Sequence, residues 1–197
     1  MTGPKNQKGF TLLEAIIASS IFLIVLFAIY VTFESSRKTY TWGSNKLEVQ
    51  QTARVAMGIM ANEMRTAGYD PSNPPVGVIP GLASPWAIQV ANANTLTFIA
   101  DVDGDNVTDQ VTYRLQGTQV IRDFASWGGG IFPVPVSEQL ADGITALTFT
   151  YFDGSDAPGP APANIRRIMI GLTTQRSTEG KQESFPLTMD VRLRNLQ

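Results

Sequence analysis

An uninterrupted apolar run near the N-terminus constrains the fold of this chain more than any other feature. Residues 10–33 read FTLLEAIIASSIFLIVLFAIYVTF, 24 residues with one charge, Glu14, and no Gly or Pro. As a helix the run would extend about 36 Å, enough to cross a hydrocarbon core of about 30 Å. Apolar residues on every face argue against a helix in a soluble core, and residues 30–34 are a poor cleavage site for a secretory signal. We therefore expect a transmembrane helix that stays attached.

A short polar leader precedes the apolar run. It contains Lys5 and Lys8 and ends in Gly9, after which the chain continues Phe10-Thr11-Leu12-Leu13-Glu14. The basic leader, the Gly, the aromatic residue, the Glu four positions later and the apolar run together resemble the class III signal of type IV prepilins and of type II secretion pseudopilins. The resemblance implies cleavage between Gly9 and Phe10 by a prepilin peptidase, which is also the methyltransferase that N-methylates Phe10.

Glu14 is the only charged residue of the apolar run. A carboxylate in a membrane helix costs about 2.5 to 3.5 kcal/mol on insertion scales and usually has a partner. Cleavage after Gly9 would create an ammonium on Phe10, either one turn away in the same helix or on a neighbouring subunit of a filament. We predict an intersubunit pairing that sets axial register, since a slipped subunit would leave both charges unpaired. For an isolated monomer, the alternative is a carboxylate that reaches the lipid headgroups.

The charges that flank the run do not orient it in a membrane. Lys5, Lys8 and the amino terminus lie on one side, and Arg37, Lys38 and Lys46 lie on the other, so the positive-inside rule gives nearly a tie. The resemblance implies a leader on the cytoplasmic side. It places the chain in the bacterial inner membrane as a single-pass protein with its head outside the cytoplasm, and then in a pilus filament or a secretion pseudopilus.

The helical pattern continues beyond the membrane run. Residues 34–67 contain no Pro, and Gly68-Tyr69-Asp70-Pro71 then provides a C-cap glycine followed by a helix breaker. We predict one long helix that ends near Ala67. Its second half carries an apolar stripe at steps of three and four residues, which favours packing against a sheet. The stripe consists of Val49, Ala53, Ala56, Met60, Met64 and Ala67.

Alternating residues in the remainder of the chain predict an antiparallel sheet. After a loop rich in Pro and Gly at residues 73–85, five stretches alternate as strands do: residues 95–100, 111–116, 147–151, 168–173 and 187–194. Each has one apolar and one polar face. The predicted class is α+β and pilin-like, with a long N-terminal helix packed on an antiparallel sheet head. The predicted segments are a leader peptide (1–9), a transmembrane and assembly helix (10–33), an amphipathic spine helix (34–69) and the head (70–197).

The composition excludes most familiar catalysis. With no Cys and no His, the chain lacks thiolate nucleophiles, Ser-His dyads and the usual ligands of zinc and haem. The carboxylates Glu138, Asp142, Asp153 and Asp190 lie at scattered strand ends and form no recognisable acid–base pair. Because 15 Lys and Arg face 17 Asp and Glu without a long basic cluster, no nucleic-acid partner is expected. We expect no catalytic residue and a protein that is not an enzyme.

One acidic turn between two predicted strands suggests a metal. Asp101, Asp103 and Asp105 alternate, and Asp109 follows four positions later. Oxygen ligands at this spacing in a loop with Gly suit Ca²⁺. The match to an EF-hand is poor, because Gly104 is fourth instead of sixth. The alternative is a polar hairpin turn that uses these residues for their turn geometry. Ca²⁺ is the only cofactor that the sequence suggests.

A second resemblance concerns the end of the spine helix. Residues 50–71, QQTARVAMGIMANEMRTAGYDP, are similar to the same region of PilW-type minor pilins and J-type minor pseudopilins. This implies a structural minor pilin that primes a type IV pilus or lies at its tip. A J-type pseudopilin of a type II secretion system and a membrane-tethered, calcium-dependent binding or adhesion module are the alternatives. The implied partners are other minor and major pilins or pseudopilins, the prepilin peptidase, an inner-membrane assembly platform and membrane lipid.

Overall fold

The computed structural model describes residues 9–69, 87–128, 132–178 and 181–196. The chain divides into two compact units, Met1–Asn45 and Lys46–Gln197. One helix, α1 (Leu12–Thr66), starts in the first unit and ends in the second. The predicted leader up to Lys8 and the predicted loop at residues 73–85 lie outside the described residues.

The end of α1 is set by a glycine, as the sequence predicts. Gly68 has a φ of 82°, a left-handed conformation that glycine adopts without penalty. A Cβ at this position would lie 2.6 Å from Leu196 Cδ2, so close packing also requires glycine. The Gly68 N–H donates to the Ile99 carbonyl at 2.9 Å, and the Asp101 N–H donates to the Tyr69 carbonyl at 2.9 Å. The chain that leaves the helix is therefore fastened to the strand that precedes the acidic turn.

The predicted apolar stripe of the spine is buried in the core of the second unit. Five of its six residues are at most 1% exposed: Ala53, Ala56, Met60, Met64 and Ala67. The side chain of Val49 lies outside the described residues. These residues share one hydrophobic cluster with Leu96, Phe98 and Val111 of the strands, which confirms that the stripe packs against a sheet. On the other side of the helix Val55 is 61% exposed.

The described strands form two antiparallel sheets, whereas the sequence suggested one. The first sheet has the order β1 (Ile88–Ala91), β2 (Thr95–Ala100), β3 (Asp109–Gln116), β4 (Gln119–Ser126) and β5 (Val136–Ala141). The second has the order β6 (Ile144–Phe152), β7 (Arg167–Thr178) and β8 (Lys181–Arg192). The five predicted stretches correspond to β2, β3, β6, β7 and β8. The α+β class is confirmed, and β1, β4 and β5 are additional strands.

The break between the sheets occurs at a tight turn after β5. Gly143 has a φ of 73°, and the Ile144 N–H donates to the Thr118 carbonyl at 2.9 Å instead of pairing with β5. Along β6 the Phe149 N–H donates to the Ala93 carbonyl at 2.7 Å. Strand β6 thus contacts turns of the first sheet and pairs with β7 only, which starts a second sheet.

Candidate functional site

The N-terminus of α1 carries a reciprocal capping box around Glu14. The Thr11 N–H and hydroxyl donate to Glu14 Oε2 at 2.9 and 3.0 Å, and the Glu14 N–H donates to Thr11 Oγ1 at 3.2 Å. Each side chain thereby satisfies a backbone donor of the first turn. The Thr-x-x-Glu spacing of residues 11–14 is the sequence signature of such a cap.

The cap leaves Glu14 able to take a further partner. Its described hydrogen bonds as an acceptor use Oε2 only, and within the described residues no cation lies beside it. A capping carboxylate at a helix N-terminus is favourable in itself because the helix dipole is positive there. The carboxylate that the charge-pairing hypothesis requires is therefore held in a defined position at the start of the helix.

The helix around this cap presents an apolar surface. The segment Leu12–Ser44 is long and apolar enough to cross a membrane, and none of its most apolar stretch is buried. Phe10, the predicted first residue after cleavage, is 92% exposed. Since none of the described residues covers this apolar stretch, its side chains require lipid or neighbouring helices around them.

Three of the four aspartates of the acidic turn come together. Asp101, Asp103 and Asp109 each place a carboxylate oxygen within 4.8 Å of the others, and Asp105 is not in this group. Asp109 is fully buried and Asp101 is 5% exposed, whereas Asp103 is exposed. The predicted four-ligand set is thus reduced to three.

The same carboxylates already act as acceptors within the turn. Asp101 accepts the N–H groups of Gly104 at 2.7 Å and Asn106 at 3.2 Å. Asp103 accepts the Asp105 N–H at 3.2 Å. Hydrogen bonds of this kind, in which a backbone N–H donates to a short acidic side chain a few residues earlier in the sequence, build turns without any metal. Gly104 and Asn106 both have positive φ, 80° and 66°, as a tight turn requires.

Asp109 is the electrostatically unusual member of the turn. Burial raises the pKa of the Asp109 carboxyl, and the charges of Asp103 and Asp105 raise it further, while hydrogen bonds from the Ser126 hydroxyl and the Val102 N–H oppose the rise. A cation between Asp103 and Asp109 would relieve this repulsion. The turn is therefore electrostatically able to hold a cation, although its hydrogen bonds do not depend on one.

We expect the turn to bind no Ca²⁺ at millimolar concentration, because its carboxylates already accept N–H groups of their own loop. The melting temperature of the full chain in detergent should then be the same in millimolar Ca²⁺ and in EGTA. A bound ion would instead add RT ln(1 + [L]/Kd), about 2.7 kcal/mol at a hundredfold excess over Kd. A calcium-dependent rise that disappears in Asp103→Asn but persists in Asp105→Asn would contradict the expectation. The two variants are matched, since each residue accepts an N–H two positions ahead.

A polar cluster that sequence patterns did not indicate joins the spine to the first sheet. Arg122 donates from Nε to Glu63 Oε2 at 3.0 Å, and its Nη2 lies 3.0 Å from Oε1. The Tyr113 hydroxyl also donates to Glu63 Oε2. Tyr113 is fully buried, and burial together with the Glu63 charge raises the pKa of its hydroxyl. We call Glu63, Tyr113 and Arg122 the spine anchor, because they fix one face of α1 to β3 and β4.

Comparison with known proteins agrees with both parts of this organisation. Residues 4–30 match the family model of the prokaryotic N-terminal methylation motif. The structure is similar to that of a type IV-like pilin from Thermus thermophilus, with a TM-score of 0.51 and 9% sequence identity, over 75% of this chain and 98% of that chain. A comparison with curated proteins gives no match. The chain thus carries a class III prepilin signal and has a pilin-like fold, as predicted; the resemblance to minor pilins stays a prediction.

Proposed function

We propose that this chain is a structural minor pilin, which joins other pilins through its N-terminal helix and primes a type IV pilus or lies at its tip. The observation that carries the proposal is the combination of a methylation motif at residues 4–30 with a head of pilin-like fold. A prepilin motif on such a fold supports a pilin or pseudopilin role. The minor assignment is supported by the spine sequence at residues 50–71, and a non-enzymatic role agrees with a chain that lacks Cys and His.

The exposed helix explains how such a subunit would assemble. Lipid tails are as apolar as the side chains of the helix, so moving it from lipid into a helical bundle gains little hydrophobic free energy. Polar groups then decide the position of each subunit. A pairing between Glu14 of one subunit and the Phe10 ammonium of the next supplies one such polar contact per subunit and selects a single axial register.

The proposed function implies a location and a set of partners for the chain. The subunit would wait in the bacterial inner membrane with its head outside the cytoplasm, contact lipid and the assembly platform there, and then pass into the filament. Its partners would be other minor and major pilins and the peptidase that cleaves after Gly9 and methylates Phe10. Retention of a positive charge on N-methylated Phe10 keeps the pairing with Glu14 available.

Processing provides the direct test of this proposal. Mass spectrometry of the chain from its native envelope should show an N-terminus at N-methylated Phe10, without residues 1–9. Gly9→Leu should leave an uncleaved precursor in the membrane, because a peptidase that accepts glycine at the cut has little room for a branched side chain. Gly43→Leu is the matched control, since a Cβ at Gly43 meets nothing within 4 Å. Normal cleavage of Gly9→Leu would overturn the assignment.

The J-type pseudopilin alternative shares the same methylation motif and the same assembly physics. Crosslinking separates the two, because the captured neighbours differ. A photoreactive residue in place of Val25, which is 49% exposed, should capture subunits of a type IV pilus. Capture of secretion pseudopilins would instead assign the chain to a type II secretion system.

A further inference from the structure

The outer face of the second sheet carries a row of large side chains across its three strands. Phe152 on β6 pairs with Arg167 on β7, and Arg167 pairs with Arg192 on β8. The next residues along these strands, Ile168 and Val191, are fully buried in the core. The alternation of strands therefore directs the two arginines away from the core.

These arginines line a cleft of ≈490 Å³. Its charged residues come from the β6–β7 connection and from the ends of β7 and β8: Arg166, Arg167, Arg192, Arg194, Asp153 and Asp156. The cleft belongs to the head unit.

The aspartates near the cleft already have partners within the head, either a single arginine or the backbone of the loop. Arg167 Nε lies 2.8 Å from Asp156, and its Nη1 lies 2.7 Å from Asp190. The guanidinium also stacks on the Phe152 ring at 3.8 Å. Asp153 accepts the N–H groups of Ser155 at 2.8 Å and Ala157 at 2.9 Å, so its carboxylate holds the loop together.

Arg192 and Arg194 are left without a carboxylate partner within the described residues. Arg192 stands directly opposite Arg167, a cross-strand pair of like charges, which is destabilising. Arg166 donates from Nη1 to the carbonyls of Ala163 and Ile165 at 2.9 and 3.0 Å. Those neutral acceptors hold its guanidinium in place without offsetting its charge. The cleft is therefore shaped, positive and incompletely neutralised.

We propose that this cleft binds a carboxylate of a neighbouring protein subunit, with Arg192 and Arg194 as its main donors. A guanidinium presents two parallel N–H donors that match a carboxylate. Among the described residues, four arginines face three aspartates across the cleft and its rim. This excess of one positive charge is balanced by a single carboxylate and exceeded by the charge of a phosphate dianion. This inference rests on the proposed function, because a filament subunit has other subunits beside its head, and it assigns the head a second contact besides the helix.

A binding experiment tests the cleft apart from processing and assembly. Full chain in non-ionic detergent is titrated into a fluorescent hexaglutamate peptide at low salt, and anisotropy reports binding. The double variant Arg192→Gln/Arg194→Gln should weaken binding at least about tenfold, as expected for lost charge-assisted hydrogen bonds. The control Arg54→Gln/Arg65→Gln removes the same charge from the spine, where both residues lie outside the cleft, and should bind as the parent does.

The outcomes separate specific recognition from its alternatives. Equal weakening by the spine control would mean a diffuse charge effect, and absence of binding would mean that the cleft has no such ligand. If inorganic phosphate displaces the peptide at a lower concentration than acetate does, the preferred ligand of the cleft is a phosphate and not a carboxylate. Each of these results overturns the proposal for the cleft. None of them affects the proposed function, which is tested separately by the mass spectrum of the N-terminus at Phe10.

Thermal stability gives a second test of Arg192. A structural role for this residue predicts that its substitution lowers the melting temperature, whereas a binding role does not. Arg192→Gln removes the like-charge pair with Arg167 and breaks no ion pair of the described residues, so the melting temperature should stay the same or rise without peptide. A lower melting temperature would show that Arg192 serves the fold, and the binding role would be withdrawn.

Discussion

Glu14→Gln is expected to abolish incorporation of the chain into filaments while membrane insertion stays normal. Insertion should improve slightly, because the substitution removes a charge that costs about 2.5 to 3.5 kcal/mol in a membrane helix. Assembly should fail because the Phe10 ammonium of the neighbouring subunit would lose its partner. Breaking a buried charge pair costs about 3 to 5 kcal/mol, which corresponds to roughly two to four orders of magnitude in the affinity of each subunit contact. Membrane fractionation and filament shearing measure the two effects separately.

The capping box supplies the control that this prediction needs. Glutamine at position 14 can still accept the Thr11 N–H, since a capping box can have either Glu or Gln at this position. Thr11→Ala removes the capping hydroxyl at a cost of about 1 kcal/mol but keeps the charge of Glu14, so it should still assemble. Glu14→Ala removes both and should fail. If Glu14→Gln assembles and Thr11→Ala does not, the cap matters and the charge pairing is wrong.

Glu63→Ala should destabilise the head by about 3 kcal/mol. The substitution leaves the Tyr113 hydroxyl without its acceptor and leaves the Arg122 guanidinium only its longer ion pair with Glu138, at 3.7 Å. An unsatisfied buried donor costs about 1 to 3 kcal/mol, more when it is charged. The side chains of Glu63 and Arg122 are only 18% and 14% exposed in this pair, so water replaces little of the loss. Urea denaturation of the full chain in detergent, followed by tryptophan fluorescence, measures the effect.

Two further variants test the cause. Glu48→Ala removes an exposed carboxylate from the same helix and should change stability by less than about 0.5 kcal/mol. The triple variant Glu63→Leu/Tyr113→Phe/Arg122→Met replaces the spine anchor by apolar groups and should recover most of the loss, because no buried donor is then left unpaired. A Glu63→Ala variant as stable as Glu48→Ala would show that the anchor contributes nothing to the fold.

Several features of this chain follow from its sequence because they depend on neighbours a few residues apart. The stripe from Ala53 to Ala67 and the C-cap at Gly68 follow from helical periodicity and backbone sterics. The apolar run follows from its length and its continuous hydrophobicity. The strands β2, β3, β6, β7 and β8 follow from a period of two. The stripe and these strands each have one face in the core, so burial imposes a pattern on them that can be read directly.

The missed strands lack that pattern for identifiable reasons. β5 is an edge strand whose residues are mostly exposed, and Val136 is 72% exposed, so no apolar alternation marks it. In β4 the neighbours Val120 and Ile121 are both buried because the register with β5 shifts between them. β1 has only four residues. Pairing with an adjacent strand, which is a long-range contact, decides that these segments become strands.

Long-range contacts also determine which side chains come together in the sites. The sequence by itself determined the prepilin signal, since that signal is read along the chain, and it determined that four aspartates share one turn. Only the fold decided that Asp105 lies apart from the other three and that Glu63 meets Arg122 across 59 residues. Only strand register placed Arg192 opposite Arg167. Charge and periodicity are local properties of a sequence, whereas the distance between two side chains remote in sequence depends on how sheets pair and pack.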